Sequence, residues 1–302
     1  MMELNKSLVV VVGPTAIGKT TLAVKLANHF ATEIISADSR QFFKEMEIGT
    51  AKPSTEELLA APHHFINSHS INTFFSTGDF ENEALITADK LFKIHDQLVM
   101  VGGSGLYINA VCNGLDELPE TDLTIRASLK EIFAQKGIEE IKIKLASVDP
   151  EFYAKVDQSN PQRMIRGLEF FLSTGFKLSA FQTNSKKERP FKIIKIGLNT
   201  ERAQLYEQIN QRVDQMMAAG LLEEVKNLLP FKHLNALNTV GYTELFNYLE
   251  GEHSLEEAVS LIKQNTRRFA KRQLTWFRKD QDTQWFEPDA YPAILAYIKG
   301  SI

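Results

Sequence analysis

The octapeptide Gly13-Pro14-Thr15-Ala16-Ile17-Gly18-Lys19-Thr20 constrains this chain more than any other feature. It satisfies the strict phosphate-loop pattern, and its flanks suit it. Leu8-Val9-Val10-Val11-Val12 before it is an apolar, largely β-branched run of the kind that forms a buried parallel strand. Thr21-Leu22-Ala23-Val24-Lys25-Leu26-Ala27 after it carries apolar residues at helical spacing. The glycines let the backbone wrap an anion with its N–H groups turned inward, and a helix N-terminus adds positive potential. Lys19 supplies a mobile cation for the outer phosphate, and the Thr20 hydroxyl is placed to ligate Mg²⁺. At average residue frequencies the pattern arises by accident in roughly one chain of this length in a hundred, and the strand and helix around it lower that further. A di- or triphosphate ligand is expected, with Mg²⁺.

The rest of the pattern extends the same architecture. Glu33-Ile34-Ile35-Ser36 reads as a second strand with Asp38 just past its end. A helical stretch over 80–95 leads into Gln97-Leu98-Val99-Met100-Val101, a third strand that stops at Gly102-Gly103-Ser104-Gly105. Alternating strands and helices predict an α/β fold, a doubly wound parallel sheet with helices on both faces. In such sheets ligands lie beyond the carboxyl ends of the strands, where the loops after Val12, Ser36 and Val101 all fall. From 119 to 183 the pattern turns charged and helical without a strand-like run, predicting a helical insertion domain between two halves of a core, 1–118 and 184–302. The core resumes with a strand over 192–198, helices over 202–219, 221–229 and 254–278, and a short final strand over 282–286.

A chain of 302 residues accommodates one such domain with its insertion. The formal net charge of −4 gives no global attraction to nucleic acid, so any RNA contact must come from a local basic patch. The single cysteine, Cys112, excludes an intramolecular disulfide and a multi-cysteine zinc site. The polar start and the shortness of the 8–12 run exclude a signal peptide or membrane span there. A cytoplasmic, monomeric protein with no membrane partner is expected.

The loop alone does not name a reaction. No Asn-Lys-x-Asp guanine signature is present, and the third strand runs into Gly102 and Gly103 rather than into a Walker-B acid. Asp38, in Ser36-Ala37-Asp38-Ser39-Arg40-Gln41, is read equally as a water-mediated magnesium ligand, an N-cap or a catalytic base. The stretch 263–279 holds Lys263, Arg267, Arg268, Lys271, Arg272, Arg278 and Lys279 with no acid, while Ala270, Leu274 and Phe277 recur at helical spacing. By itself such a run is slightly better read as a solvated helix face; beside a phosphate loop it points to RNA. Pro161-Gln162-Arg163-Met164-Ile165-Arg166 opens a helix with Arg163 and Arg166 one step apart, and Arg212 is undistinguished taken alone. His63, His64 and His69 read as structural or loop residues, since no Cys or nearby acid pair completes a metal site.

Together these segments resemble the transfer-RNA dimethylallyltransferase (isopentenyltransferase) family of bacterial type. The resemblance runs through Gly13-Pro14-Thr15 to Lys19-Thr20, Ser36-Ala37-Asp38-Ser39 and Met46-Glu47-Ile48-Gly49-Thr50-Ala51-Lys52-Pro53. It continues through Gly102-Gly103-Ser104-Gly105-Leu106-Tyr107, Asn160-Pro161-Gln162-Arg163 and Val240-Gly241-Tyr242, and ends in the basic stretch from Thr266 to Arg278. It covers nearly the whole chain in family order, and the 48–53 and 270–276 segments are the most specific. The resemblance implies transfer of a dimethylallyl group from its diphosphate to N6 of adenosine 37, next to the anticodon. It implies Asp38 as general base, with the loop residues Gly13 to Thr20 and Arg212 on the diphosphate. It also implies RNA contact by Asp38, Ser39, Arg40, Gln41, Ser104, Arg126, Gln162, Arg163, Met164, Ile165 and Arg166. Arg267, Arg268, Lys271 and Arg272 join that set as the basic helix. Family members often carry Thr where Ser104 stands, which keeps the hydroxyl, and a basic residue where Thr243 stands, which removes a phosphate contact.

The chemistry agrees with the resemblance. An allylic diphosphate ionises readily because its cation is resonance-stabilised, so catalysis falls mainly on the departing diphosphate, which a phosphate loop with Mg²⁺ stabilises. The adenine N6 lone pair is delocalised into the ring, so the amine needs a base as the C–N bond forms. An unpaired loop adenosine is also easier to extrude than a paired one. Two other classes compete: a phosphate-loop small-molecule or nucleotide kinase with the insertion as its lid, and a nucleotide-switched RNA-binding protein without covalent chemistry. The first leaves the basic run unexplained, the second leaves Asp38 without a role.

Overall fold

A computed structural model describes residues 6–183 and 185–302. Its centre is a six-stranded, all-parallel sheet. The strands are β1 (Ser7–Val12), β2 (Ile34–Ser36), β3 (His63–His64), β4 (Gln97–Val101), β5 (Lys192–Leu198) and β6 (Thr283–Phe286), in the order β3-β2-β4-β1-β5-β6. The helices before the insertion are α1 (Lys19–Phe30), α2 (Thr55–Ala60), α3 (Thr77–Leu91) and α4 (Gly105–Asn113). Within it lie α5 (Leu123–Lys136), α6 (Ile138–Val148), α7 (Pro150–Lys155) and α8 (Pro161–Thr174). After it come α9 (Arg202–Ala218), α10 (Leu221–Leu228), α11 (Tyr242–Leu249), α12 (Leu255–Phe277) and α13 (Tyr291–Ser301).

Strand β1 sits between β4 and β5, pairing Val9 with both Val99 and Ile194, and all six of its residues are buried. Burial on both faces is why its sequence is continuously apolar instead of alternating. Val9 and Val11 pack with Leu22 and Leu26 of α1, while Leu8, Val10 and Val12 pack with Phe80, Ala84 and Ala88 of α3. Strand order reverses about β1 and β4, so the loop after β1 opens at a topological switch point.

The chain divides into two compact units: residues up to Cys112 with Glu188–Ile302, and Asn113–Lys187. In the second, α5 to α8 close over a core of Ile141, Leu145, Phe152, Met164, Leu168 and Phe170. Each large apolar side chain buried there contributes about 1.5–3 kcal/mol, a core of its own. The wholly buried Asp149 accepts from the Phe152 and Ser179 amides and from the Ser179 hydroxyl, tying α7 to the turn after α8. In the first unit, α9 to α12 gather around the buried Tyr242 with Phe42, Phe43 and Met46.

Strand β3 escapes sequence reading. His63 and His64 pair with Ile34 and Ile35 at the sheet edge, too short and too exposed to carry a periodic signal. Both are tied to the scaffold: His64 Nε2 lies 2.7 Å from Glu33 Oε2, and His63 Nδ1 donates to the Ala61 carbonyl at 2.8 Å. Among the described residues no helix is long and apolar enough to cross a membrane.

Candidate active site

The phosphate loop leaves β1 at Gly13 and enters α1 at Lys19. Ala16 (φ 67°) and Gly18 (φ 91°) take left-handed conformations, turning successive amides toward one concavity. Lys19 Nζ donates to the Pro14 carbonyl at 2.7 Å, resting across the loop. Burial, reinforced by the nearby Arg212 guanidinium and partly opposed by Asp38, pushes the Lys19 ammonium down to about 7. Thr20 lines the same cavity, of about 430 Å³, together with Asp38 and Arg212.

Asp38 follows β2 directly, and its Oδ1 accepts the Arg40 amide at 3.0 Å in a local turn. No helix begins there, which removes the N-cap reading. Arg212 comes from α9, and its guanidinium donates to the Ala51 carbonyl at 3.4 Å. Burial lowers its pKa, against the favourable fields of Asp38 and Glu57. A second cavity, of about 490 Å³, has apolar walls from Val213, Met216, Leu221 and Ile262 and a polar side from Ser39, Ser104 and Asn238. Thr15, Asp38, Thr50, Ala51, Arg212 and Phe269 line both cavities, so the two join around Asp38 and Arg212.

Three residues that hold this geometry went unread in the sequence. Glu224 of α10 accepts the amides of Glu47, Ile48 and Gly49 at 3.0, 2.7 and 3.0 Å and the Tyr242 hydroxyl at 2.6 Å. That pins the 46–53 loop, whose Thr50 and Ala51 carbonyls then receive Gln41 Nε2. Gln273 of α12 is buried; its Oε1 accepts the Thr15 amide at 2.8 Å and its Nε2 donates to the Gly103 carbonyl at 2.9 Å. Phe269 contributes a ring to both cavities. Phe269 and Gln273 stand inside the 266–278 segment that carries the resemblance, but nothing in the sequence gives either a role, and Glu224 has no motif signal at all, because each acts through contacts distant in sequence.

The expected RNA-contact residues separate into groups. Ser39 and Ser104 are joined, the Ser104 hydroxyl accepting the Ser39 amide at 2.9 Å and donating to its hydroxyl at 3.0 Å. Arg40 reaches the Asn235 and Asn238 carbonyls and lines the second cavity, as does Thr243. Gln41 lines the first cavity with Asp38, while its Nε2 braces the 46–53 loop. Within the insertion, Asn160 caps α8 through the Arg163 amide at 3.2 Å, leaving Gln162 and Arg163 exposed. The Met164 and Ile165 side chains are buried in that unit's core, so any contact they make with RNA cannot come from their side chains. Arg126 and Arg166 each take one oxygen of the buried Glu169, at 2.9 and 3.2 Å. On α12, Arg267 turns to Asn210 and Lys263 to Asp214, whereas Arg268, Lys271 and Arg272 project outward.

A parallel sheet with this loop at its switch point places the chain among the phosphate-loop α/β proteins. Its membership is narrower: the IPP transferase family model matches residues 41–280, and the chain belongs to that family. It is 53% identical over 300 residues to a tRNA dimethylallyltransferase of Christiangramia forsetii, covering 99% of each chain. Among solved structures it resembles the tRNA isopentenylpyrophosphate transferase of Bacillus halodurans at 37% identity and a TM-score of 0.72, covering 98% of this chain and 96% of that one. It also resembles a eukaryotic dimethylallyltransferase described as acting on tRNA, at 25% identity and a TM-score of 0.78, covering 94% and 74%. The family expected from the sequence motifs is the family found.

Proposed function

We propose that this protein transfers a dimethylallyl group from dimethylallyl diphosphate to N6 of adenosine 37 in tRNA, giving N6-(dimethylallyl)adenosine. The observation that carries this reading is the pair of cavities joined at Asp38 and Arg212, one on the phosphate loop and one with apolar and polar walls. The diphosphate occupies the loop, where Lys19 leaves the Pro14 carbonyl for the outer phosphate. Arg212, at the junction, meets charge growing on the leaving group as the C–O bond breaks. The adenine enters through the second cavity, and Asp38 takes the N6 proton as nitrogen bonds to the allylic carbon.

Among the described residues no group of three His, Cys, Asp or Glu forms a metal site. Thr20, donor phosphates and water fit Mg²⁺, an ion that keeps several waters. Bound there, it neutralises diphosphate charge.

The deciding experiment offers labelled dimethylallyl diphosphate, or ATP, with and without unmodified tRNA. Prenyl transfer to RNA is expected; phosphoryl transfer from ATP, or RNA binding without turnover, contradicts it.

The low Lys19 pKa gives a pH prediction. In the free site Lys19 is mostly neutral above about pH 7, whereas a bound diphosphate holds it protonated. Donor binding at pH 8 therefore takes up close to one proton, and affinity falls by up to about tenfold per pH unit above 7. Calorimetry of a donor analogue in buffers of different ionisation enthalpy measures this directly. Heats independent of buffer at pH 8 contradict it.

RNA affinity rests partly on the outward cations of α12. Arg268→Ala with Arg272→Ala should reduce the slope of log affinity against log salt by about 1.4–1.8, with donor binding unchanged. An unaltered slope returns the helix to the status of a solvated face.

A further inference from the structure

Helix α12 presents Phe269, Arg272 and Trp276 at three- and four-residue intervals, one stripe on one face. Phe269 lies in the active-site cavities, and the Arg272 guanidinium sits 5.7 Å over its ring. Arg272 also lines an open hollow of about 420 Å³ built only from Arg268, Lys271, Arg272, Thr275, Trp276 and Lys279. The stripe thus runs without a break from the site to that hollow. Phe269 and Trp276 are each 39% exposed, an unusual degree for large aromatic groups on a helix that buries Ala270 and Phe277 beside them.

The indole is seated rather than loose. A Cβ on Gly105 would lie 2.2 Å from Trp276 Cδ1, so only glycine lets the ring rest on that loop. Gly105 follows Ser104, which lines the second cavity. Around the open part of the ring only cations, a threonine and the ring itself line the hollow: 263–279 contains no acid, and none is among the described residues that line it. An exposed aromatic plane ringed by cations fits a nucleobase with its flanking phosphates. An acidic peptide would use the cations but leave the indole plane idle. The seven steps from Phe269 to Trp276 span about 10 Å of helix, at most about three nucleotides at a stacked rise of about 3.4 Å.

We propose that Trp276 is a stacking platform for an unpaired base within about three nucleotides of the target adenosine, whose phosphates lie on Arg268, Lys271 and Lys279. The inference rests on the RNA-directed reading above and adds a subsite to it. Stacking on an immobilised indole fixes the strand's register, so that the target base, and not its neighbour, enters the second cavity.

The chain has two tryptophans, so Trp285→Phe leaves Trp276 as the sole indole emitter. Titrating that variant with unmodified tRNA should quench its emission and saturate with the RNA. In a second arm, Trp276→Leu keeps an apolar group against Gly105 but removes the π surface. It should raise KM for tRNA about 5- to 100-fold, leave KM for the donor unchanged, and be largely restored by Trp276→Phe. Unquenched emission at saturating RNA overturns the proposal, as does an unchanged tRNA KM in Trp276→Leu. Should Trp276→Leu fail to fold, the quenching alone decides. Prenyl transfer by the unaltered enzyme is the control: its absence refutes the function, not the platform.

Discussion

Asp38→Asn is expected to transfer the prenyl group about 10²–10⁴-fold more slowly than the unaltered enzyme, with both substrates still bound. Asparagine keeps the size and can still accept the Arg40 amide that Asp38 Oδ1 now accepts at 3.0 Å, so the turn after β2 survives. What it loses is the capacity to take a proton. Asp38 lines both cavities, the position a base needs if donor and acceptor approach from different sides. A magnesium ligand at the same place behaves differently, because its loss raises the metal requirement and excess metal partly restores the rate. Single-turnover transfer across a Mg²⁺ titration separates the two roles. A low, flat rate supports the base; recovery at high Mg²⁺ sinks it.

Lys19→Ala and Arg212→Ala should each lower kcat/KM for the donor by about 10²–10³-fold, with little change in thermal stability. Both cations line the phosphate-loop cavity, the place proposed above for the leaving diphosphate, where positive charge matters most as the C–O bond breaks. Neither holds the fold together. Lys19 spends its ammonium on one loop carbonyl, and Arg212 makes one long contact to Ala51. Removing a half-buried charge that burial already disfavours costs little in the free protein. Wild-type kcat/KM in either variant refutes that residue's assignment. A KM effect with unchanged kcat would show binding without preferential stabilisation of the transition state.

The inner strands of the sheet were legible because they are buried on both faces and therefore read as unbroken apolar runs, β1 most clearly, whereas the edge strand β3 was not. The phosphate loop was legible because its chemistry is local: glycines, a lysine and a hydroxyl within eight residues. Asp38 could be placed at the right edge, but its role could not be chosen, since a turn, a metal and a proton all use the same carboxylate. Arg212 was invisible to pattern, being one arginine on an amphipathic helix until α9 packs it beside Lys19 and Asp38. The basic run gave composition without direction. Packing against α9 turns Lys263 and Arg267 inward to Asp214 and Asn210, and only the remaining cations face out. Met164 and Ile165 illustrate the converse, a motif that spans core and surface residues alike because a helix buries one side of any contiguous segment.

The position of Gln273 has a consequence for how such an enzyme can diversify. The amide that holds Thr15 and Gly103 belongs to the same helix whose opposite residues stand in solvent. Inheritance therefore treats one helix as two objects. Substitutions at Arg268, Lys271 or Thr275 leave the loop's scaffold untouched, so if these residues meet RNA as proposed above, RNA preference can change while the donor site stays fixed. A change at Gln273 has no such freedom, because glutamine is the only uncharged amide side chain of that length, offering an N–H₂ donor and a carbonyl acceptor to two backbones at once. Libraries randomised on the outer positions alone should accordingly yield active enzymes with altered RNA preference far more often than libraries that include position 273.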